Sequence, residues 1–328
     1  MESHDLKRAV HLLRSGGLVA FPTETVYGIG ADATNSGAVR KIFQAKGRPS
    51  TNPLIIHVAD AGVARRFAAD WPAAAEALAK RFWPGPLTLV VPKSEVIVAE
   101  ATAGRPTVGL RAPGHPLALQ LLRAFGGPVA APSANRSNRI SPTTAEHVRR
   151  ELGNAVDLIL DGGPCQVGIE STVLDLTKTP PMILRPGAVT RQQIEEVIGS
   201  IEVFAGSVAL SQAAASPGQH EIHYSPAAPA YRFDRGHLDE VKRWRREHPH
   251  ATAVFLLLES NDGFGQRPHV VRMPQTAAEY ARMLYAALHD ADALSPDAIF
   301  IELPDASPEW SAVRDRLMRA TRPLVISS

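Results

Sequence analysis

Apolar and polar positions alternate along residues 1–200 in two rhythms, one helical and one strand-like. Leu6, Val10, Leu12 and Leu13 fall on one face of a helix, and Gly16-Gly17 supplies the residue type that ends helices. Residues 18–21 read as a buried strand halted by Pro22. Asn35 is placed to cap a helix running through Ala45, with Val39, Ile42 and Phe43 turned inward. Residues 54–58, 87–91 and 107–110 predict further strands, as do 157–160, 172–176 and 182–184. Ser141-Pro142 predicts a helix start, combining an N-cap residue with proline at the first helical position. The interleaving predicts a layered α/β or α+β domain over residues 1–204, without internal repeats.

The pattern fades over residues 205–229. The run Ala213-Ala214-Ala215-Ser216-Pro217-Gly218 and the later Pro226-Ala227-Ala228-Pro229 have linker composition. Between them lies Gln219-His220-Glu221-Ile222-His223-Tyr224, rich in functional side chains for a spacer. Beyond it, strand patterns at 231–233, 253–258 and 298–303 alternate with helical patterns near 237–247, 276–289 and 308–321. That is a smaller βαβ-type domain, residues 230–328.

Composition narrows the class. The chain has 328 residues, 45% apolar and 21% charged, which excludes wholesale disorder. No apolar run approaches the ~20 residues of a membrane span, and the first residues do not read as a signal peptide, so a cytoplasmic location is expected. Cys165 stands alone, leaving no internal disulfide and no cysteine-rich zinc site. Lys and Arg number 35 against 33 Asp and Glu. Residues 1–200 carry 22 of those cations and 17 of those anions, net +5, and the remainder carries 13 and 16, net −3. A basic first domain suits anionic ligands or nucleic acid without deciding between them.

Familiar nucleotide and hydrolase signatures are absent: no phosphate-binding G-x-x-x-x-G-K-[ST], no G-x-S-x-G, no H-E-x-x-H. Residues 28–33 imitate a dinucleotide fingerprint, but residues 22–27 part them from the strand and residues 35–37 interrupt the helix they should open. His220 and His223 lack the carboxylate or thiol partners of a metal site.

Four segments at strand ends or in loops carry the chemistry. Pro22-Thr23-Glu24-Thr25-Val26-Tyr27-Gly28 sets hydroxyls and a carboxylate at a sheet edge, as a small polar ligand requires; a turn of locally bonded threonines competes with that reading. Lys46-Gly47-Arg48-Pro49-Ser50-Thr51-Asn52-Pro53 brings two cations to a loop that leads into the strand of His57, suiting a polyphosphate or else an exposed basic turn. His57 itself, within an apolar strand, reads first as a satisfied core histidine. Residues 129–137, with Ser133 and Asn135 and then Ser141, offer small residues and donors for phosphate or ribose, or form an ordinary polar loop. Gly168-Ile169-Glu170-Ser171-Thr172 joins Arg185 and Arg111, each at a strand end. Lys46, Arg48, Arg111 and Arg185 together suggest an anion-binding cleft.

In this order the segments resemble the L-threonylcarbamoyladenylate synthase family, built on a YrdC-like domain, over about residues 6–200. The linker with its His-Tyr pair and the smaller domain resemble the two-domain branch. The resemblance implies an α/β fold: a twisted mixed sheet with flanking helices, joined by a long linker to a Rossmann-like domain. It implies a nucleotidyltransferase that makes L-threonylcarbamoyl-AMP and pyrophosphate from L-threonine, bicarbonate and ATP, with Mg2+ carried on the ATP, for threonylcarbamoyl-adenosine modification of tRNA. Contact with tRNA or the downstream transferase stays open.

By the same resemblance, Thr25, His57, Arg111, Ser171 and the backbone of Ala131 contact threonine. Lys46, Arg48 and Asn52 hold phosphates, with Lys46 and Arg48 as the catalytic pair. Thr107, Ser133, Asn135, Ser141 and Arg185 contact the nucleotide, and Tyr224 closes over it. The run Gln219-His220-Glu221-Ile222 is less basic than the family pattern, implying fewer cations in that lid. Two rivals remain: a transferase that forms carbamoyl-AMP, although the zinc-finger and acylphosphatase-like parts of such proteins are absent, and a non-catalytic RNA-binding module. The second lacks the aromatic-basic signature of a stacking platform, with aromatics at 6%.

Overall fold

The computed structural model describes residues 3–204, 206, 223–259, 264 and 269–324. They divide into two compact units: residues 3–137 with 141–206, and residues 138–140 with 223–324. Most of the expected linker, residues 205 and 207–222, lies outside the described residues, including the run 219–222.

The first unit runs α1 (Ser3–Arg14), β1 (Val19–Phe21), β2 (Gly28–Asp32), α2 (Ser36–Lys46), β3 (Ile55–His57), α3 (Ala61–Arg65), α4 (Ala73–Phe82), β4 (Leu87–Pro92), β5 (Thr107–Arg111), α5 (Pro116–Phe125), β6 (Val129–Ala130), α6 (Ala145–Leu152), β7 (Leu158–Ile159), β8 (Thr172–Asp175), β9 (Met182–Arg185), α7 (Arg191–Ile198) and β10 (Glu202–Val203). Its ten strands form one mixed sheet, in the order β10-β9-β8-β4-β5-β3-β6-β2-β1-β7. One core packs α2, α4, α6 and α7 through residues such as Val39, Ile42, Leu78, Val148 and Ile194. A second packs α1 and α5 through Leu13, Leu121 and Leu122. This is the expected α/β unit, a mixed sheet with flanking helices.

Local chemistry sets the ends of α2. The Asn35 side chain accepts from the Ala38 N–H at 3.0 Å, and Gly47 closes the helix in the left-handed region at φ +58°. That places Lys46 on the last turn and Arg48 just past the cap.

Three local readings are corrected. No element is predicted for residues 28–32, yet they form β2, antiparallel to β1 and β6. Residues 129–130, expected only as part of a segment at a strand end or in a loop, form β6. Ser141-Pro142 does not open a helix: the Pro142 carbonyl accepts from the Tyr27 N–H at 2.8 Å, and α6 begins at Ala145 with Thr144 as its cap. The tertiary hydrogen bond to Tyr27 holds the Ser-Pro step outside the helix.

The second unit runs β11 (Ala230–Phe233), α8 (Leu238–Glu247), β12 (Ala253–Leu257), β13 (His269–Arg272), α9 (Ala277–Ala293), β14 (Ala298–Glu302), α10 (Ser311–Ala320) and β15 (Arg322–Pro323). All strand pairs are parallel, in the order β13-β12-β14-β11-β15, as expected of a Rossmann-like domain. Phe233, Phe255 and Phe300 anchor its core. Within this unit the Asp292 carboxylate accepts from the Ala227 and Ala228 N–H groups at 2.8 and 2.9 Å and pairs with Arg139 at 2.8 Å. No helix among the described residues is long and apolar enough to cross a membrane.

Candidate active site

Strand pairing sets the framework of the site. β8, β4, β5 and β3 are consecutive neighbours, and the register puts His57 beside Arg111. Ser171 immediately precedes β8, and its hydroxyl meets that of Thr88 on β4 at 2.8 Å. One end of these strands thus gathers Ser171, Thr88, Arg111 and His57.

Arg111 organises the first cluster. Its Nη2 donates to Glu24 Oε1 at 2.7 Å and to Thr25 Oγ1 at 3.0 Å, and its Nε donates to the Gly85 carbonyl at 3.2 Å. Glu24 Oε2 accepts from the Gly114 N–H at 2.8 Å. His57 is buried, and burial first and the Arg111 charge second push its imidazole down to about 3, so the ring is neutral at ordinary pH. Ala131 lies against β3: its N–H donates to the Ile55 carbonyl at 2.9 Å.

Lys46 organises the second. Its buried Nζ donates to the Ser133 carbonyl at 2.5 Å and to the Asn135 carbonyl, and its own carbonyl accepts from the Ser137 N–H at 2.8 Å. Burial and then the Arg48 charge hold the ammonium well below the usual lysine range, with Glu151 acting in the opposite sense. Lys46 therefore fastens the 133–137 loop to the end of α2. Arg48 and Asn52 are both buried, and an Arg48 Nη2 donates to the Pro53 carbonyl at 3.2 Å.

Three further candidates belong to the first unit and one to the second. Arg185 donates from Nε and Nη2 to the Ser171 carbonyl, at 3.1 and 3.0 Å. Ser141 is fully buried and its hydroxyl donates to Glu170 at 2.5 Å. Thr107 lines a small cleft with Pro53, Thr88 and Arg105. Tyr224 belongs to the second unit, where its buried ring lies 5.7 Å from that of Tyr285 and 5.4 Å from the Arg316 guanidinium.

Backbone bonds tie residues 132–134 to the segment that follows Thr25. Ala134 N–H donates to the Tyr27 carbonyl at 2.8 Å and Ile29 N–H to the Pro132 carbonyl at 2.9 Å, so the loop that Lys46 fastens is also stitched to the hairpin behind Thr25.

Residues 11–187 match the Sua5, YciO and YrdC family, described as telomere recombination. The chain belongs to this family. Residues 189–321 match the threonylcarbamoyl-AMP synthase C-terminal domain, which accounts for the parallel second unit. A Pyrococcus abyssi protein named threonylcarbamoyl-AMP synthase is 42% identical over 327 residues, covering 98% of this chain and 95% of its own length. A Bacillus subtilis protein of the same name is 42% identical over 326 residues, covering 98% and 94%. A crystal structure of P. abyssi Sua5 complexed with L-threonine shares the fold at a TM-score of 0.88 and 40% identity, covering 98% of this chain and 96% of that one.

Glu24, Thr23, Thr88 and Glu170 take part in the site's bonding without having been singled out as site residues. Glu24 and Glu170 are visible in the sequence beside Thr25 and Ser171. Only contacts between distant segments reveal that their carboxylates serve Arg111 and Ser141.

Proposed function

We propose that the protein synthesises L-threonylcarbamoyl-AMP from L-threonine, bicarbonate and ATP, releasing pyrophosphate, for threonylcarbamoyl-adenosine modification of tRNA. The observation that supports this reading is that the loop fastened by Lys46 is hydrogen-bonded to Tyr27 and Ile29, next along the chain from the Thr25 that Arg111 holds. The full-length relatives named threonylcarbamoyl-AMP synthase support it, as does the L-threonine in the P. abyssi Sua5 structure.

In this proposal the Arg111 fork receives the threonine carboxylate, and Thr25, neutral His57, Ser171 and the Ala131 backbone hold the rest of the amino acid. Lys46, Arg48 and Asn52 hold phosphates. Thr107, Ser133, Asn135, Ser141 and Arg185 hold the nucleotide, and the resemblance adds Tyr224 as a residue that closes over it. Carboxylated threonine attacks the α-phosphorus through a carbamate oxygen as pyrophosphate leaves. Such transfers need alignment and charge neutralisation more than a protein nucleophile. That fits a site rich in cations and hydroxyls, and makes the protein a nucleotidyltransferase.

Magnesium enters this scheme as MgATP. The two carboxylates of the site are engaged, Glu24 by Arg111 and Gly114, Glu170 by Ser141. Among the described residues no group of three or more His, Cys, Asp or Glu is disposed to hold a metal. Such a donor set suits an ion held by phosphate oxygens and water.

The test supplies L-threonine, bicarbonate and MgATP and follows pyrophosphate. Release that requires all three is the expected result, and threonine-independent release overturns the reading. Carbamoyl phosphate replacing threonine and bicarbonate would favour the carbamoyl-AMP alternative.

A further inference from the structure

Thr23 has no role in the assignments above, yet it closes a hydrogen-bond relay whose direction is fixed at both ends. At one end stands Arg111, a guanidinium that only donates, with Nη2 3.0 Å from Thr25 Oγ1. At the other stands the Val26 carbonyl, which only accepts, 2.6 Å from Thr23 Oγ1. Each hydroxyl owns one proton. The Thr23 proton goes to Val26, so the 2.8 Å bond between the two hydroxyls takes the proton of Thr25. The backbone N–H groups of Thr25 and Val26 lie 3.2 Å from Thr23 Oγ1 and share its second lone pair, the first taking the Thr25 proton. Both threonines are buried, 2% and 0% exposed. Glu24 and the Gly85 carbonyl pin the guanidinium that starts the relay. Thr25 therefore has no proton to give and one lone pair remaining.

We propose that Thr23 is a specificity-determining residue: the relay it closes holds the Thr25 hydroxyl as a pure acceptor, so the pocket selects an amino acid by a group that donates a hydrogen bond to it. This rests on the threonine-binding role proposed for Thr25 and Arg111. Threonine has two such donors, its hydroxyl and its ammonium. An isostere with no proton at that point leaves a buried acceptor unpaired, which weakens binding by about tenfold or more.

Calorimetry on the full chain, with L-threonine, L-valine and 3-hydroxybutyrate as probes, tests the idea. Valine lacks the hydroxyl and 3-hydroxybutyrate lacks the amine. In the wild-type protein one of them is expected to bind at least about tenfold more weakly than threonine, and which one identifies the donor. If both bind as tightly as threonine, the proposal is overturned without any variant. Thr23→Val, which keeps the shape and removes both the acceptor and the proton, should reduce that preference by about tenfold while the KM for ATP stays put. Thr23→Ser should restore it. A Thr23→Val protein that melts like the wild type and keeps the full preference also overturns the proposal. A wild-type protein that binds no threonine sinks the substrate assignment itself, a separate and recognisable result.

Discussion

Arg111 and Glu24 are joined by a 2.7 Å ion pair whose side chains are 4% and 8% exposed. Burying two charges is costly, and removing one partner leaves the other uncompensated. Glu24→Ala should lower stability by about 3–5 kcal/mol, and adding Arg111→Met should recover part of that loss. Urea unfolding of the wild type, the two single variants and the double variant measures the coupling. Strictly additive losses would contradict it.

Lys46 ties the carbonyls of Ser133 and Asn135 to the end of α2. Lys46→Met removes both the tether and the charge proposed to face phosphate. Turnover should fall by about 10²- to 10³-fold, the scale of one lost preorganised donor, with threonine affinity little changed. Pyrophosphate release and threonine calorimetry measure the two effects, and unimpaired turnover would remove Lys46 from the mechanism.

His57 makes stability depend on pH. Its ordinary value is 6.5, and in the folded protein it is pushed down to about 3. Between those values the unfolded chain takes a proton that the folded one refuses. The His57 contribution is therefore fully present above 6.5 and is lost as pH falls towards 3, by up to about 1.4 kcal/mol per pH unit. His57→Gln should flatten the stability profile between pH 6 and 4 relative to wild type. Parallel slopes in denaturant unfolding would contradict the buried neutral imidazole.

Gly187 passes hard against the backbone that carries Ser171. A Cβ there would lie 2.3 Å from the Thr172 nitrogen and 2.6 Å from the Ser171 carbonyl carbon. Backbone atoms yield less readily than side chains, so Gly187→Ala should cost about 1–3 kcal/mol and disturb the Arg185–Ser171 fork. Thermal melts together with the KM for ATP check both consequences.

Much of the fold was legible because local chemistry and long-range packing agree there. Asn35 caps α2 and Gly47 ends it for reasons contained in a few consecutive residues. β2 was not legible. Its Gly30 resembles loop composition, but the strand needs it because a Cβ would stand 2.8 Å from both the Phe21 ring and Val129. Those neighbours come from β1 and β6, one of them far along the chain. Ser141-Pro142 failed for the same kind of reason: its local helix signal is outweighed by one hydrogen bond to Tyr27.

The order of the segments around Thr25, Lys46, His57, Arg111, Ser133 and Ser171 was enough by itself to point to the family, because a family resemblance is a property of residue types and their succession. Tertiary structure alone decided which side chains serve one another: Glu24 with Arg111, Thr23 with Thr25, Lys46 with the carbonyls of Ser133 and Asn135. Except for the threonines, two positions apart, these partners lie tens of residues apart. For the threonines, the nearby Val26 carbonyl fixes which hydroxyl gives its proton, and the arrival of Arg111 takes one of the lone pairs of Thr25. The polarity of a hydrogen-bonded site depends on every group reaching it, and only the folded chain brings them within reach.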